Sequence, residues 1–211
     1  MTGRVKITIF TDYVCPFCML AEGPIEEATK DLDVEIEWKP FELRAFPAPT
    51  LRPEDEYLPA IWARAVYPMA RRLGVDITLP TVSPQPYTQL AFEGYQFAAE
   101  RGLGTEYTHC MFRAFFQENQ DLGQPDILQA LAEEIGLDGA AFRAALDDRA
   151  YRAKHQDALR EAQAHQVQSV PTILVGDTRI EGVPSPVQLR KAIVDTLGQK
   201  LVRRHGALGA C

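Results

Sequence analysis

The chain has 211 residues, of which 46% are hydrophobic and 24% charged, a composition typical of a soluble globular protein with a full core. Its formal net charge of −7 argues against a nucleic-acid-binding surface and gives no reason to expect an anionic membrane as a partner. No run approaches the roughly 20 apolar residues of a transmembrane helix, and residues 1–10 lack the pattern of a signal peptide, so a cytoplasmic location is expected.

The first predicted element is a strand, because apolar and polar residues alternate through residues 5–9. A helix-like segment follows, and Cys15-Pro16-Phe17-Cys18 stands at the junction. Pro16 suits the first turn of a helix, since its missing N–H would have no partner there. Cys15 would then lie at the helix N-terminus, where unpaired N–H groups and the helix dipole stabilise a thiolate. Cys18, one turn on, is placed to attack a mixed disulfide at Cys15, so we predict a redox pair.

Two other roles compete with this interpretation of the Cys-x-x-Cys pair. A zinc site usually needs a second Cys-x-x-Cys or a closely spaced Cys/His pair. Cys110 and Cys211 are distant in sequence from each other and from the first pair, and the adjacent side chains of His109 and Cys110 cannot easily point at one metal from a helix. A purely structural disulfide is uncommon in a reducing cytoplasm. We therefore predict redox chemistry and no metal site.

Residues 34–38 form a second alternating strand, which completes a strand–helix–strand unit with parallel strands. Pro24 is expected to kink the intervening helix. Residues 40–53 contain four prolines and are predicted to form a loop. Helical patterns then fill the chain up to residue 165 and predict an inserted all-helical lobe. The expected helices cover residues 54–73, 87–101, 105–118, 125–135, 138–146 and 149–165.

The end of the chain returns to strands. Residues 172–175 and 178–181 flank a Gly-Asp turn and predict an antiparallel hairpin. Ser185-Pro186-Val187-Gln188 has the pattern of a helix start, and the helix is expected to run to about residue 197 and to end at Gly198. Residues 201–211 are predicted to form a C-terminal tail.

Several isolated polar or thiol side chains also carry expectations. Asp12, three residues before the Cys-x-x-Cys pair, is expected to cap a turn, with a role in the proton chemistry of the cysteine as the alternative. Cys110 is expected to be a small buried apolar residue, and Cys211 an inert terminal thiol with an intermolecular disulfide as the alternative. His155 and His165 lie ten residues apart on a polar helix and are expected to face solvent.

The chain resembles the DsbA-like branch of the thioredoxin superfamily in the order of three features. These are the Cys-Pro-Phe-Cys motif, then the long helical segment, then Ser169-Val170-Pro171-Thr172. Residues 38–43, Trp-Lys-Pro-Phe-Glu-Leu, are similar more narrowly to the FrnE-type dithiol–disulfide oxidoreductases. The resemblance spans nearly the whole chain. It implies an α/β, thioredoxin-like domain over residues 1–50 and 166–200, with a large inserted helical domain over residues 54–165.

The resemblance also assigns site residues. It implies that the Val170–Pro171 peptide bond is cis and lies opposite the Cys-x-x-Cys, in line with cis bonds occurring essentially before proline; a trans proline at the start of a strand is the alternative. The Val170 backbone would then be free to pair with an extended substrate across Cys15. Pro16 and Phe17 are assigned to substrate binding, Phe17 as part of an apolar rim. The DsbA protein itself has histidine where Phe17 stands, so a strongly oxidising potential is not implied.

The predicted function is thiol–disulfide exchange on protein or peptide substrates, with Cys15 as the nucleophile and Cys18 as the resolving thiol. No bound cofactor is expected, and glutathione or thioredoxin would serve as the redox partner. Kappa-class glutathione transferases and 2-hydroxychromene-2-carboxylate isomerases resemble the same architecture and bind glutathione, but they typically carry serine at the position of Cys15. A chaperone-like binding module with vestigial cysteines is a third alternative. The sequence leaves the direction of electron flow and the oligomeric state open.

Overall fold

The computed structural model describes residues 4–208, with side chains over residues 4–199. Four strands form one sheet: β1 (Val5–Thr11), β2 (Val34–Pro40), β3 (Thr172–Val175) and β4 (Thr178–Glu181). Their order is β2-β1-β3-β4; β1 pairs in parallel with β2 and antiparallel with β3, and β3 pairs antiparallel with β4. The predicted strand–helix–strand unit and the terminal hairpin are both confirmed.

Helices make up most of the remaining described chain. The α-helices are α1 (Pro16–Leu20), α2 (Glu22–Thr29), α3 (Tyr57–Ile61), α4 (Tyr67–Leu73), α5 (Gln89–Ala99), α6 (Gly104–Phe116), α7 (Pro125–Glu134), α8 (Gly139–Asp147), α9 (Arg152–Ala164) and α10 (Pro186–Leu208). Helices α3 to α9 lie between β2 and β3, in the segment predicted to be helical. The limits of the two domains stay a prediction.

Prolines explain two irregularities in these helices. Pro24 lacks the N–H that would donate to the carbonyl of Leu20, four residues earlier, and α1 ends at Leu20. The predicted interruption of the first helix is therefore confirmed, with the break at Ala21 rather than at the proline. Pro68 likewise follows a π-helical turn, Trp62–Val66, that joins α3 to α4.

The last helix is longer than predicted. The expected end at Gly198 is wrong, because α10 continues to Leu208. A single glycine inside a helix costs only about 1 kcal/mol relative to alanine, and no proline follows to stop the helix. The predicted tail is thus helical up to residue 208, and residues 209–211, including Cys211, lie outside the described part of the chain.

Helix α5 lies at the centre of the helical lobe. Residues 91–98 are all buried, so this helix is surrounded by other helices instead of presenting one apolar stripe. Gly94 allows the close approach, because a Cβ atom there would lie 2.4 Å from the Tyr107 hydroxyl and 2.6 Å from the Phe142 ring. The lobe is therefore densely packed, and its core is continuous with that of the sheet.

The lobe also packs against the outer strand of the sheet, with α6 and α9 covering β2. The Trp38 N–H donates to the Tyr95 hydroxyl at 3.1 Å, and the Trp38 indole N–H donates to the Thr105 hydroxyl at 3.2 Å. The Lys39 ammonium forms an ion pair with Glu161 of α9 at 2.8 Å. Polar contacts thus join β2 to the lobe.

Candidate redox site

Cys15 lies where β1 passes into α1. It is the N-cap residue of α1, with an extended backbone (φ −93°, ψ 111°), and Pro16 occupies the first helical position, as predicted. The Cys15 N–H donates to the Asp12 carbonyl at 3.0 Å, which closes a tight turn between the strand and the helix. Because β1 lies inside the sheet, this turn is held by paired strands on both sides.

The segment before β3 meets Cys15 from the other side. Phe10 of β1 pairs with Thr172 of β3, so the two residues before Thr172 lie beside the end of β1. The Val170–Pro171 peptide bond is cis, as the resemblance implied. The Cys15 thiol donates to the Val170 carbonyl, with Sγ and O 3.5 Å apart. The fold thus brings together two segments that are 155 residues apart in sequence.

Cys18 lies beneath Cys15, deeper in the protein. Its N–H donates to the Cys15 carbonyl at 3.0 Å, and the residue is 1% exposed, against 5% for Cys15. Burial raises the pKa of the Cys18 thiol well above its usual value, and the hydrogen bond with the Cys15 thiol acts in the same direction. A thiol in this position can reach a sulfur atom bonded to Cys15, but not a molecule in solution.

A cavity of about 350 Å³ opens beside Cys15. Residues 15–17 and Val170 line it, which places four of the predicted site residues at one surface; Pro171 is buried and lies outside the lining. The helical lobe supplies apolar side chains: Leu58, Ile61, Trp62 and Val66. The sequence did not indicate these lobe residues, because no local motif connects a helix at residues 57–66 to the cysteines. Both parts of the protein therefore form the site.

Asp12 is buried directly before the Cys-x-x-Cys turn. The turn expected here is formed by its backbone carbonyl, whereas its side-chain Oδ2 accepts the Leu43 N–H at 2.8 Å. Its other oxygen, Oδ1, is buried with no hydrogen-bond partner among the described residues. Burial raises the pKa of the Asp12 carboxyl from 3.8 to about 7; the hydrogen bond from Leu43 opposes this shift and the charge of Glu42 adds to it. Asp12 thus links Leu43, through its side chain, to the turn before Cys15, which its backbone carbonyl closes.

His155 does not face solvent, so that expectation is wrong. The side chain is fully buried, and its Nε2 lies 2.5 Å from Oε1 of Glu42, whose side chain is itself buried. His155 shares one face of α9 with Ala158 and Ala162, three and seven residues on, which are also buried. This spacing was visible in the sequence. The partner Glu42 was not, because it lies 113 residues away. His165 is exposed, as expected.

Cys110 is buried within α6, as expected of a small apolar residue. Its Sγ lies 3.7 Å from the Leu131 carbonyl and accepts a contact from the Arg113 guanidinium at 3.3 Å. Burial raises the pKa of the Cys110 thiol, and the Arg113 charge opposes that shift. Cys110 therefore has no contact with the Cys15 cavity, whose lining does not include it.

Membrane spans and metal-binding clusters are both absent from the described residues. Between residues 4 and 208, no helix combines the length and the apolar character needed to cross a membrane. The same residues contain no group of three or more His, Cys, Asp or Glu side chains placed to hold a metal ion.

The model of the DsbA-like thioredoxin domain family matches residues 6–194. The chain belongs to this family. The matched segment contains the Cys-x-x-Cys turn, the helical lobe and the cis-proline, so the resemblance inferred from these motifs is confirmed. Membership of the FrnE-type group within the family stays a prediction.

A relative of nearly the same length is the uncharacterized protein YwbO of Bacillus subtilis (strain 168), which is 48% identical over 198 residues. The alignment covers 93% of this chain and 99% of that protein.

Three solved structures show the same fold at low sequence identity. A probable DsbA oxidoreductase from Streptomyces coelicolor is 21% identical, with a TM-score of 0.74 and coverage of 92% of this chain and 91% of that one. A 2-hydroxychromene-2-carboxylate isomerase is 17% identical, with a TM-score of 0.70 and coverage of 96% and 98%. The cytosolic disulfide reductase DsbM from Pseudomonas aeruginosa with GSH is 17% identical, with a TM-score of 0.66 and coverage of 95% and 100%. At these identities the likeness shows the thioredoxin-like fold.

Proposed function

We propose that the protein catalyses thiol–disulfide exchange on protein or peptide substrates through Cys15 and Cys18. One observation carries the proposal: Cys15 lines an open cavity, and Cys18 lies buried behind it, one helical turn on, with its N–H bonded to the Cys15 carbonyl. This order gives each cysteine a separate part in the reaction, because only Cys15 can meet a substrate and only Cys18 can meet Cys15 from within.

In the reducing direction, the Cys15 thiolate attacks one sulfur of a substrate disulfide, and the substrate S–S bond breaks as the Cys15–substrate bond forms. The departing substrate thiolate takes up a proton. Cys18 then loses its proton and attacks Cys15 Sγ, which releases the second substrate thiol and leaves a Cys15–Cys18 disulfide. The substrate gains two electrons and two protons, and the cysteine pair loses them. The oxidising direction is the reverse of these steps.

The surroundings of Cys15 support a peptide substrate. Pro16, Phe17 and Val170 line the same cavity, so an extended chain bonded to Cys15 would lie against them. Such a chain would form backbone hydrogen bonds beside Val170, in the manner of an added strand. No resident cofactor is required by these steps, since glutathione or thioredoxin would restore the starting redox state. We place the reaction in the cytoplasm, where the DsbM reductase of the same fold is found.

A redox equilibrium tests the proposal. The protein is incubated in graded glutathione buffers, free thiols are trapped by alkylation, and the state of each cysteine is read by peptide mass. We expect a reversible Cys15–Cys18 disulfide, while Cys110 remains a thiol at every ratio. A midpoint near the thioredoxin value of about −270 mV would indicate a reductase or isomerase, and one near the DsbA value of about −120 mV an oxidant. If no Cys15–Cys18 disulfide forms at any ratio, the proposal is wrong.

A Cys18→Ser variant separates this function from the glutathione-dependent isomerase with the same fold. Exchange through two thiols requires Cys18, so the variant should accumulate a mixed disulfide at Cys15 and lose turnover. An isomerase that uses glutathione as a cofactor needs no second thiol and would keep full activity. Client binding that survives loss of both thiols would instead favour the chaperone-like module.

A further inference from the structure

We propose that Arg44 selects thiol and disulfide substrates that carry a carboxylate close to the reacting sulfur. This inference rests on the proposed exchange reaction at Cys15 and adds the chemistry of its preferred substrate. Arg44 would act as a specificity-determining residue, because it contacts the substrate but takes no part in the bond changes.

The charge at the cavity is the first observation. Among the described residues that line the cavity beside Cys15, Arg44 alone carries a formal charge. The remaining lining is apolar or aromatic, apart from the thiol of Cys15, the hydroxyl of Tyr57 and three neutral polar residues, Gln85, Gln168 and Ser169. This local excess of positive charge contrasts with the whole chain, which has 29 acidic and 22 basic residues.

The second observation is that the guanidinium of Arg44 is unpaired. It forms no hydrogen bond or ion pair with any residue that the structure describes. Arg113, Arg143 and Arg149, in contrast, each form an ion pair with a carboxylate of the protein. Arg44 therefore has all five of its N–H donors available for a molecule that enters the cavity.

The third observation is that the backbone before Arg44 is fixed. The Phe41 N–H donates to the Thr11 carbonyl at 2.8 Å, and the Leu43 N–H donates to the buried carboxyl of Asp12 at 2.8 Å. The same segment holds Glu42, which is paired with His155 in the lobe. Since these contacts hold residues 41–43 against the end of β1, less entropy is lost when Arg44 binds a ligand.

The guanidinium group matches a carboxylate in geometry, because its planar N–H donors can form two parallel hydrogen bonds to the two oxygens. Arg44 itself is exposed, and the apolar side chains of Leu58 and Trp62 line the same cavity, which lowers the local dielectric relative to an open polar surface. The carboxylate can belong to a small thiol such as glutathione or to an acidic side chain next to a cysteine in a polypeptide. A cationic group in the same place would be repelled.

The test compares three small disulfides that differ in charge: glutathione disulfide, neutral hydroxyethyl disulfide and cationic cystamine. The second-order rate constant of the reduced protein with each is measured by acid quenching, alkylation and peptide mass. For Arg44→Gln we expect the rate constant for glutathione disulfide, divided by that for hydroxyethyl disulfide, to fall about fivefold. The rate constant for cystamine, divided by that for hydroxyethyl disulfide, should rise. Arg44→Lys should restore part of the first ratio, and added salt should reduce it in the wild type.

Arg72→Gln is the matched control, since it removes one exposed arginine charge from α4, outside the cavity lining. We expect it to leave both ratios unchanged. A second arm uses peptide disulfides with Glu, Gln or Lys beside the cysteine. If Arg44→Gln loses the preference for Glu over Lys peptides but not the preference for glutathione disulfide, the natural carboxylate belongs to a polypeptide. If it loses only the preference for glutathione disulfide, the carboxylate belongs to a small thiol.

The inference is overturned if Arg44→Gln changes neither arm, or if Arg72→Gln causes the same loss. These results would leave the exchange reaction intact. Failure of the proposed function itself has a different signature: the wild-type protein would then react with none of the disulfides.

Discussion

Cys15 and Cys110 are equally buried, each 5% exposed, yet they lie in very different surroundings. Cys15 caps the start of a helix and lines a cavity, with a second thiol behind it. Cys110 lies in the middle of α6, between the Leu131 carbonyl and the Arg113 guanidinium. The exposed fraction of a residue therefore does not distinguish the surroundings of these two cysteines. The difference lies in what the sulfur faces, an open cavity or the interior of a helical lobe.

The largest effect is expected when the sulfur of Cys15 is removed, and removal of the sulfur of Cys110 serves as the comparison. We expect Cys15→Ser to lower the rate of disulfide exchange about a thousandfold or more, because a hydroxyl does not form a mixed disulfide. Cys110→Ser should change that rate by less than about twofold. The measurement is the rate of reaction with a small disulfide under identical conditions. Similar losses in the two variants would show that Cys110 takes part in the reaction.

The second prediction concerns the buried carboxyl next to Cys15, which has no counterpart beside Cys110. The pKa of Asp12 is about 7 in the folded protein against 3.8 in the unfolded chain, so the folded state keeps a proton that the unfolded state releases. Stability from this group is thus fully present below about pH 4 and is lost as the pH rises through 7, by up to about 4 kcal/mol. Asp12→Asn should abolish that loss.

The measurement is the free energy of unfolding in urea from pH 4 to pH 8, as the difference between wild type and variant. Asp76→Asn, an exposed aspartate on the surface, serves as the control and should follow the wild type at every pH. A difference between wild type and Asp12→Asn that is independent of pH would contradict the assigned protonation of Asp12.

The third prediction tests the buried contact between His155 and Glu42, which joins the segment after β2 to the lobe. His155→Leu leaves the carboxyl group of Glu42 buried without its partner, and we expect it to lower the free energy of unfolding by about 3 kcal/mol. His165→Leu, at an exposed position, should change it by less than about 0.5 kcal/mol. Equal effects of the two changes in urea denaturation would mean that the His155–Glu42 pair is not formed.

The smallest expected effect is the loss of stability when the side chain of Cys110 is shortened. If this residue only fills space, Cys110→Ala should lower the free energy of unfolding by about 1 kcal/mol and leave the redox midpoint of the Cys15–Cys18 pair unchanged. Thermal denaturation and the glutathione titration measure the two quantities. A shift of the redox midpoint in Cys110→Ala would contradict this prediction, because it would mean that Cys110 is coupled to the Cys15–Cys18 pair.

Local patterns in the sequence were sufficient for the elements that carry the cysteines. Alternation over residues 5–9 and the proline after Cys15 depend on neighbouring residues alone, and the strand and the helix start were found where predicted. The cis bond before Pro171 required the family resemblance, since no local signal distinguishes it from a trans bond.

The polar partners inside the protein were beyond the reach of sequence patterns. Asp12 binds the Leu43 N–H, 31 residues away, and His155 pairs with Glu42, 113 residues away. These contacts depend on how the segment after β2 and the lobe are placed against the sheet, and a periodicity of two or 3.6 residues contains no information about that arrangement. The same reason explains why the unpaired arginine at the cavity was missed: its isolation is a property of its neighbours in space.

The contact between the lobe and β2 affects the tendency of the protein to aggregate at high concentration. An outer strand with free N–H and C=O groups is a template on which another chain can pair, and this is a common start of aggregation. Here Tyr95 accepts the outward N–H of Trp38, and α6 and α9 lie over the strand. The helical lobe thus contributes Leu58 and Ile61 of α3 to the cavity beside Cys15, while α6 and α9 of the same lobe shield one border of the sheet from self-association.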